Sequence, residues 1–347
     1  MTRPHPARVA EDAWNRARGA ALTRRGWLPR VVPYTGYGGP EVVRVLARAV
    51  LAPPERSRTG RPADHLDQRR GWRNFVTAEA AGTEVTITVG QVRHVVRTDR
   101  SGFLDVRLPN PGLEPGWRQV TLAVTGSDPV VAPLLVVDAE ETFGIVSDID
   151  DTVIRTFLPR PLIAAYTTFV LPEQARRPVP GMAGLYEGLL REHPGAPTVY
   201  VSTGAWNTAG ALSRFLARHG FPAGPLLLTD WGPTNTGWFR SGQEHKRACL
   251  RSLAEDFPRI GWLLVGDDGQ HDPSLYAEFA RARPERVRAI AIRQLSAGEH
   301  VLAHGVPLTQ YGEDGEDGVD AGARAVPQVR APDGDSLGRA LDGLGLT

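Results

Sequence analysis

Short apolar runs alternate with helix-like segments along the chain from Thr142 onwards. One such segment places Leu212, Phe215 and Leu216 on one face, and we expect its helix to end at Gly220. This alternation is typical of a parallel sheet covered by helices on both faces, so the predicted fold class is α/β. The predicted strands span residues 142–147, 197–201, 225–229, 260–265 and 287–292.

Upstream of this region, apolar residues alternate with polar ones at every second position, which predicts half-buried strands. Turn signals such as Gly90 and the stretch 109–112 separate these runs. The pattern therefore predicts a small antiparallel β-sandwich domain with a structural or targeting role. Its alternating apolar residues are Val85, Ile87, Val89, Leu104, Val106, Leu108, Val120, Leu122 and Val124.

The two ends of the chain carry weaker patterns. Residues 1–70 are rich in arginine, alanine and proline, and we interpret them as a helical N-terminal arm and a linker. A basic helix with tryptophans could lie on an anionic membrane surface, although packing on its own protein is the more common outcome. Residues 311–347 are rich in glycine, aspartate and proline, and we predict a flexible acidic tail there. The β-domain is then predicted at 71–138 and the parallel-sheet domain at 139–310.

Composition narrows the classes of function. The chain has 347 residues, is 41% hydrophobic and has a formal net charge of +1, which argues against a general binder of nucleic acid. The lone Cys249 excludes an intrachain disulfide and a cysteine-rich zinc site. No run approaches the roughly 20 apolar residues of a transmembrane helix, and the N-terminus does not resemble a secretory signal. We therefore expect a cytoplasmic protein without a transmembrane segment.

The strongest chemical signal follows the first predicted strand. The apolar run 143–146 leads into Asp148, Asp150 and Asp151, and open α/β sheets bind ligands at this end of their strands. Crowded carboxylates repel one another unless a cation or a proton intervenes, and a hard ion such as Mg²⁺ suits oxygen ligands. The spacing Asp-x-Asp-x-Thr leaves one carboxylate to attack and another to handle protons. The alternative is a helix-capping turn without chemistry.

Polar groups also follow the second predicted strand. Ser202, Thr203 and Gly204 come directly after it. Their hydroxyl and backbone N–H groups could bind a phosphoryl oxygen, or they could simply start a helix.

Carboxylates return after the strand predicted at 260–265. Asp267 and Asp268 follow it directly and are hard to explain without a cation. Asp272 precedes Pro273 and has a structural alternative, because aspartate before a proline at the first helical position is a common N-cap.

Lys246 is the only lysine among the 40 basic residues. This position could need a compact ammonium rather than the planar guanidinium of arginine, or the lysine could have survived by chance. It follows His245 at the start of a predicted helix that runs to about Phe257. From that place its side chain could reach toward negative charge at the strand ends.

Acid, hydroxyl, ammonium and acid groups thus follow one another in chain order. This order resembles the motifs of the haloacid dehalogenase superfamily of phosphotransferases, which implies a Rossmann-like parallel sheet flanked by helices. The resemblance is closest to the catalytic domain of the actin-patch type of phosphatidate phosphatase, which is related to the lipins. It covers roughly residues 140–305, and Asp268 stands where a serine is common. The segments that carry it are 147–153, 200–206, 245–246 and 266–273 together with Tyr276.

The resemblance implies catalytic roles for five residues. Asp148 would be the nucleophile that forms an aspartyl-phosphate, and Asp150 would protonate the leaving alkoxide and then activate water. Ser202 and Lys246 would bind the transferring phosphoryl group, and Lys246 would keep Asp148 ionised. Thr152 completes the implied catalytic set.

The resemblance also implies a metal site and a substrate site. Mg²⁺ would be held by Asp148, the backbone carbonyl of Asp150 and Asp267, with Asp268 or Asp272 in support. The implied substrate-binding residues are Ser202, Thr203, Gly204, Lys246 and Arg155.

An insertion between Arg155 and Pro180 bears on the substrate. It interleaves arginines with apolar residues, which suits a flap for a lipid phosphate beside the active site and peripheral contact with a membrane surface. A helix with one buried and one solvated face explains the pattern equally well. Phosphatidate is the leading substrate. The alternatives are a soluble phosphomonoester or a non-catalytic module that senses phosphatidate.

Overall fold

The computed structural model describes residues 6–53, 78–155, 176–229, 242–269, 271–299 and 326–346. These residues divide into two compact units, one ending at Asp138 and the other beginning at Ala139. Among the described helices, none combines the length and the apolar character needed to cross a membrane.

In the described part of the first unit, one helix precedes a nine-stranded sheet. The sheet has the order β1-β3-β2-β9-β8-β5-β6, and β4 and β7 also pair with β3. All of these pairings are antiparallel except that between β2 and β9. The elements are α1 (Pro6–Arg24), β1 (Leu28–Pro33), β2 (Gly36–Gly38), β3 (Val42–Ala52), β4 (Ala78–Glu79), β5 (Glu84–Val89), β6 (Val92–Arg97), β7 (Phe103–Pro109), β8 (Gly116–Ala123) and β9 (Val130–Val136).

The alternating pattern correctly predicts β5, β7 and β8. Val85, Ile87 and Val89 of β5 are at most 1% exposed, while the residues between them are more exposed. Apolar side chains from β3, β5, β7, β8 and β9 meet in one core. The antiparallel sheet is therefore confirmed, and its division into the two layers of a sandwich stays a prediction.

The prediction of a helical arm and linker over residues 1–70 is wrong for residues 28–52, which form three strands. The arginines and alanines of β3 favour a helix locally, but β3 pairs with four other strands, and this tertiary pairing outweighs the local preference. Gly36 and Gly38 lie in β2. A Cβ atom at either position would clash with the backbone of β3, so glycine permits this close pairing.

The second unit contains a six-stranded parallel sheet with helices. Its order is β14-β13-β10-β15-β16-β17, and each of its pairings is parallel. The elements are β10 (Phe143–Asp148), β11 (Ile154–Arg155), β12 (Arg177–Pro178), α2 (Met182–Glu192), β13 (Thr198–Ala205), α3 (Ala209–Arg218), β14 (Leu226–Thr229), α4 (Gly242–Asp256), β15 (Gly261–Asp267), α5 (Asp272–Ala282), β16 (Val287–Arg293), β17 (Gln328–Ala331) and α6 (Gly334–Asp342).

The parallel sheet and its helices are confirmed, and the strand order defines where a ligand is expected. The first strand of this sheet, β10, lies between β13 and β15, and the chain builds the sheet outwards in both directions from there. In open α/β sheets the crevice at such a switch point, at the carboxyl ends of the strands, is the usual ligand site. Asp148 ends β10 and Asp267 ends β15.

The prediction of a flexible tail over residues 311–347 is wrong for residues 328–342. Strand β17 pairs with β16, and helix α6 follows it. Leu337 and Leu341 are fully buried, and Asp333 caps the helix by accepting a hydrogen bond from the Ser336 amide at 2.8 Å. Two leucines four residues apart and one N-cap are enough to fix a short helix among glycines and aspartates, once a neighbour buries the leucines.

Candidate active site

Asp148 lies at the buried carboxyl end of β10. All six residues of this strand are buried, and Asp148 itself is 2% exposed. Its Oδ1 lies 2.7 Å from Nζ of Lys246. Its Oδ2 is buried and has no hydrogen-bond partner among the described residues. One oxygen of the predicted nucleophile is therefore fixed by a positive charge, while the other is left for a ligand.

Asp267 occupies the equivalent position on the neighbouring strand β15. Its Oδ1 accepts a hydrogen bond from the Gly269 amide at 2.7 Å, and its Oδ2 accepts one from Thr152 Oγ1 at 3.4 Å. Thr152 therefore connects the loop after β10 to the end of β15, as expected for the last residue of an Asp-x-Asp-x-Thr motif that closes around a site.

Asp272 is the first residue of α5, but its carboxylate does not cap that helix. The N-cap position is His271, and Asp272 Oδ1 instead lies 2.5 Å from Lys246 Nζ. The N-cap interpretation of Asp272 is therefore wrong. Gly266 makes this placement possible, because a Cβ atom there would lie 2.6 Å from Asp272 Oδ2 and 2.8 Å from the Tyr276 ring.

Lys246 connects two of the three aspartates. It lies in the second turn of α4, is 3% exposed, and its ammonium contacts both Asp148 and Asp272. Burial lowers the pKa of Lys246, but the charges of Asp148 and Asp272 more than offset this and raise it. Burial raises the pKa of Asp148 and of Asp267. The Lys246 ammonium lowers both in part, and the neighbouring carboxylates, Asp272 first among them, raise both further.

The carboxylates of the three aspartates converge in a way that fits a bound cation. Asp148, Asp267 and Asp272 each offer a carboxylate oxygen, and these oxygens lie within 4.8 Å of one another. Like Asp148 Oδ2, Asp272 Oδ2 is buried without a hydrogen-bond partner among the described residues. Three carboxylates against one ammonium leave an excess of negative charge, and all donor atoms are oxygens. This donor set fits a hard divalent ion of the Mg²⁺ or Ca²⁺ type.

Asp150 and Ser202 are joined by a hydrogen bond. Ser202 Oγ donates to Asp150 Oδ2 at 3.1 Å and accepts from the Gly204 amide at 3.0 Å. Strand β13 continues to Ala205 after an irregular register, so the segment from Ser202 to Gly204 belongs to a strand and does not start a helix. Thr229 donates to the carbonyl oxygens of Thr203 and Gly204, which fixes this strand end.

Two predicted site residues point elsewhere. Asp268 Oδ1 accepts a hydrogen bond from the Leu295 amide at 2.8 Å, and Asp268 is absent from the set of converging carboxylates. Of the two supporting ligands left open by the sequence, the geometry favours Asp272. Arg155 Nε donates to Glu299 Oε1 at 2.9 Å. Residues 156–175 of the predicted flap lie outside the described residues, whereas Arg177 and Pro178 form β12.

Sequence reasoning missed several residues behind the site. Ser147 Oγ lies 2.6 Å from Tyr186 Oη and donates to the carbonyl oxygen of Asp148. Arg293, at the end of β16, donates to the carbonyl oxygen of Asp151 at 2.7 Å. The contact of Arg293 could have been suspected from the sequence, because an arginine there ends an apolar strand. Nothing in the sequence indicated the contacts of Ser147.

The segment that carries these side chains is similar to known proteins. Residues 143–294 match the family model of the phosphatidate phosphatase APP1 catalytic domain. Phosphatidate phosphatase APP1 of Saccharomyces cerevisiae is 27% identical over 151 residues, 43% of this chain. An uncharacterised protein of Schizosaccharomyces pombe is 27% identical over 154 residues, 44% of the chain. The chain spans about a quarter of the length of these relatives, 25% of each.

Solved structures add little. A carbohydrate acetylesterase from Xanthomonas citri aligns over 80% of this chain and 73% of its own, with 10% identity and a TM-score of 0.29, which is too weak to inform the fold. The match to the catalytic-domain model includes Asp148, Asp267 and Lys246. The resemblance predicted from the motifs is therefore confirmed: residues 143–294 are similar to the phosphatidate phosphatase APP1 catalytic domain.

Proposed function

We propose that this chain is a Mg²⁺-dependent phosphatidate phosphatase of the haloacid dehalogenase type, which hydrolyses phosphatidate to diacylglycerol and phosphate. The observation that carries the proposal is the group formed by Asp148, Asp267, Asp272 and Lys246, buried at the switch point of the sheet. It lies in the segment that matches a phosphatidate phosphatase catalytic domain. An excess of buried carboxylates is costly to a fold and is typical of a functional site.

Each step of the proposed reaction uses a described side chain. The Asp148 carboxylate attacks phosphorus, the bond to the leaving alkoxide breaks, and Asp150 gives that alkoxide its proton. Asp150 then takes a proton from the water that hydrolyses the aspartyl-phosphate. Ser202 donates to Asp150 Oδ2 and so holds the carboxyl group that transfers the proton. Burial raises the pKa of Asp148, and the Lys246 ammonium opposes that rise and offsets charge on the phosphoryl group.

The metal would be held by the carboxylates of Asp148, Asp267 and Asp272. Mg²⁺ bound there would neutralise charge on the phosphoryl oxygens. Asp272 Oδ1 is held by Lys246, so its buried Oδ2 is the oxygen left for coordination. We retain Ser202, Thr203, Gly204 and Arg155 as proposed contacts for the substrate phosphate. A cytoplasmic location with peripheral membrane contact, without binding of nucleic acid, is part of the same proposal.

The test is Mg²⁺-dependent phosphate release from phosphatidate in mixed micelles, measured beside a soluble aryl phosphate. Asp148→Asn should abolish release, because the amide is a poor nucleophile, and Asp342→Asn is the matched control since Asp342 is exposed. Loss of three or more orders of magnitude is expected for Asp148→Asn. Faster turnover of the lipid than of the aryl phosphate supports phosphatidate as the substrate.

The same experiment separates the two alternatives. Comparable or better turnover of the aryl phosphate keeps the chemistry but replaces the lipid with a soluble phosphomonoester. Binding to phosphatidate vesicles without any release would indicate a sensing module. The side chains of Asp148 and Asp150, which supply both a nucleophile and a proton donor, favour the catalytic reading over that last outcome.

A further inference from the structure

Arg293 is a buried charge that the proposed reaction does not use. It is the last residue of β16 and is 2% exposed. Its Nη1 donates to the Asp151 carbonyl at 2.7 Å, its Nη2 to Glu299 Oε1 at 2.7 Å, and its Nε to the Pro332 carbonyl at 3.3 Å. A guanidinium is costly to bury unless its donors are satisfied in this way, so the side chain is held in one orientation.

One contact of Arg293 is with the carbonyl of Asp151, a residue with an unusual backbone conformation. Asp151 is the only non-glycine residue with a positive φ in the described part of the chain, at 59°. This left-handed conformation is unfavourable for a residue with a side chain and persists where the surroundings impose it. Asp151 lies between Asp150, the proposed proton donor, and Thr152, which contacts Asp267. Its amide donates to the Ile154 carbonyl at 2.7 Å, so both sides of the residue are held.

Glu299 completes the arrangement. It is 7% exposed, and its Oε1 accepts from both Arg293 and Arg155. Its Oε2 accepts from the amide and the hydroxyl of Ser296, both at 2.9 Å. Burial raises the pKa of Glu299, but the hydrogen bonds from Arg293, Ser296 and Arg155 lower it to about 2. Glu299 therefore stays ionised and balances the charge of Arg293.

We infer that Arg293 and Glu299 are positioning residues for phosphoryl transfer. They hold the Asp150–Thr152 segment in its strained conformation through the carbonyl of Asp151, so that Asp150 and Thr152 keep their places beside Asp148 and Asp267. Neither residue needs to touch the substrate. The inference rests on the proposed function for its kinetic consequence, while its structural consequence can be measured without any turnover.

The first test compares Arg293→Met with Arg288→Met. Arg288 lies on the same strand β16 but is exposed, so it is the matched control. In Arg293→Met we expect amide exchange over residues 149–155 to accelerate about tenfold or more, with the remaining protected amides unchanged. We expect kcat to fall about 10- to 100-fold with KM within about threefold, because displaced catalytic groups affect chemistry more than binding. Arg288→Met should match the wild type in all three quantities.

Two more variants guard against a simple folding defect. Arg293→Met leaves Glu299 as a buried charge, so the double variant Arg293→Met with Glu299→Gln removes that charge and should keep the same local exchange and the same low kcat. Arg293→Lys retains a charged donor but not the planar guanidinium that reaches several acceptors at once. Its kcat should therefore lie between those of Arg293→Met and the wild type. Unchanged exchange over residues 149–155 in both Met variants would overturn the inference. If the wild-type protein shows no turnover, the proposed function fails, and the exchange measurement alone decides on the positioning role.

Discussion

Arg44 and Lys246 are both cations paired with aspartate, one in each unit, and their surroundings differ. In the first unit, Arg44 donates to both oxygens of Asp105, each at 2.6 Å, and its Nη1 donates to Tyr37 Oη. One cation meets one carboxylate, and both oxygens of that carboxylate are satisfied. Such a pair is complete, so it can hold two strands together without a ligand.

The charges around Lys246 in the second unit are not balanced in this way. It faces Asp148 and Asp272, with Asp267 beside them, and one oxygen of each contacted aspartate lacks a hydrogen-bond partner among the described residues. The excess charge is fully buried, whereas Arg44 and Asp105 remain 15% and 33% exposed. A buried group with unbalanced charge therefore marks a ligand site more clearly than the mere presence of charge does.

The largest effect is expected from removing the cation in each unit. Lys246→Met leaves buried carboxylates without compensation, so the free energy of unfolding should fall by about 3–5 kcal/mol, whereas Arg44→Met at a partly exposed pair should cost about 1 kcal/mol. Turnover of phosphatidate should fall about 100- to 1,000-fold in Lys246→Met only. Urea unfolding followed by tryptophan fluorescence measures the first quantity. Equal destabilisation by the two variants would remove the distinction between the two groups.

A smaller effect is expected from glycines that make room for a neighbour. Gly266→Ala would press on Asp272 Oδ2, and Gly36→Ala would press on the Arg44 carbonyl at 2.5 Å. Both substitutions should cost about 1–3 kcal/mol of stability through overpacking. Only Gly266→Ala should weaken Mg²⁺ binding and turnover, because only there does the displaced atom belong to a proposed metal ligand. Calorimetric titration with Mg²⁺ checks this, and normal binding by Gly266→Ala would argue against Asp272 as a ligand.

Much of the second unit was predictable from sequence, for a physical reason. Each predicted strand of the parallel sheet is an apolar run, and parallel strands bring their carboxyl ends to one edge, so Asp148 and Asp267 could be placed together from the pattern alone. Lys246 was found because it is the only lysine.

The remaining features depend on tertiary contacts. Whether Asp268 or Asp272 turns inwards is decided by the path of the chain after β15, which no local pattern encodes. Arg293 and Glu299 have ordinary neighbours in sequence, and they gain their role only when β16 lies beside the loop after β10. In the first unit, β3 was misread because its valines alternate with arginine and alanine, and only its strand partners settle the conformation.

The smallest effect is expected from a change of pH. It should alter the stability of the second unit, and it distinguishes the two units without any mutation. Burial raises the pKa of Asp148 and of Asp267, so the folded protein binds these protons more tightly than the unfolded chain does. The stability that this provides is complete below the unfolded pKa of about 3.9 and is lost as pH rises through the raised folded values. In EDTA, the melting temperature of the second unit should therefore fall as pH rises from about 5 to about 8.

Magnesium should reverse that loss, because it binds the deprotonated carboxylates and so favours the form that high pH creates. Melts in EDTA and in excess Mg²⁺ should then diverge as pH rises, and Asp148→Asn should reduce the divergence because it removes one of the shifted groups. Asp105→Asn is the matched control in the first unit, where the carboxylate is already satisfied by Arg44. A divergence that is equally large in Asp148→Asn would place the ion elsewhere, since the three buried aspartates could not then be the groups that exchange protons for metal.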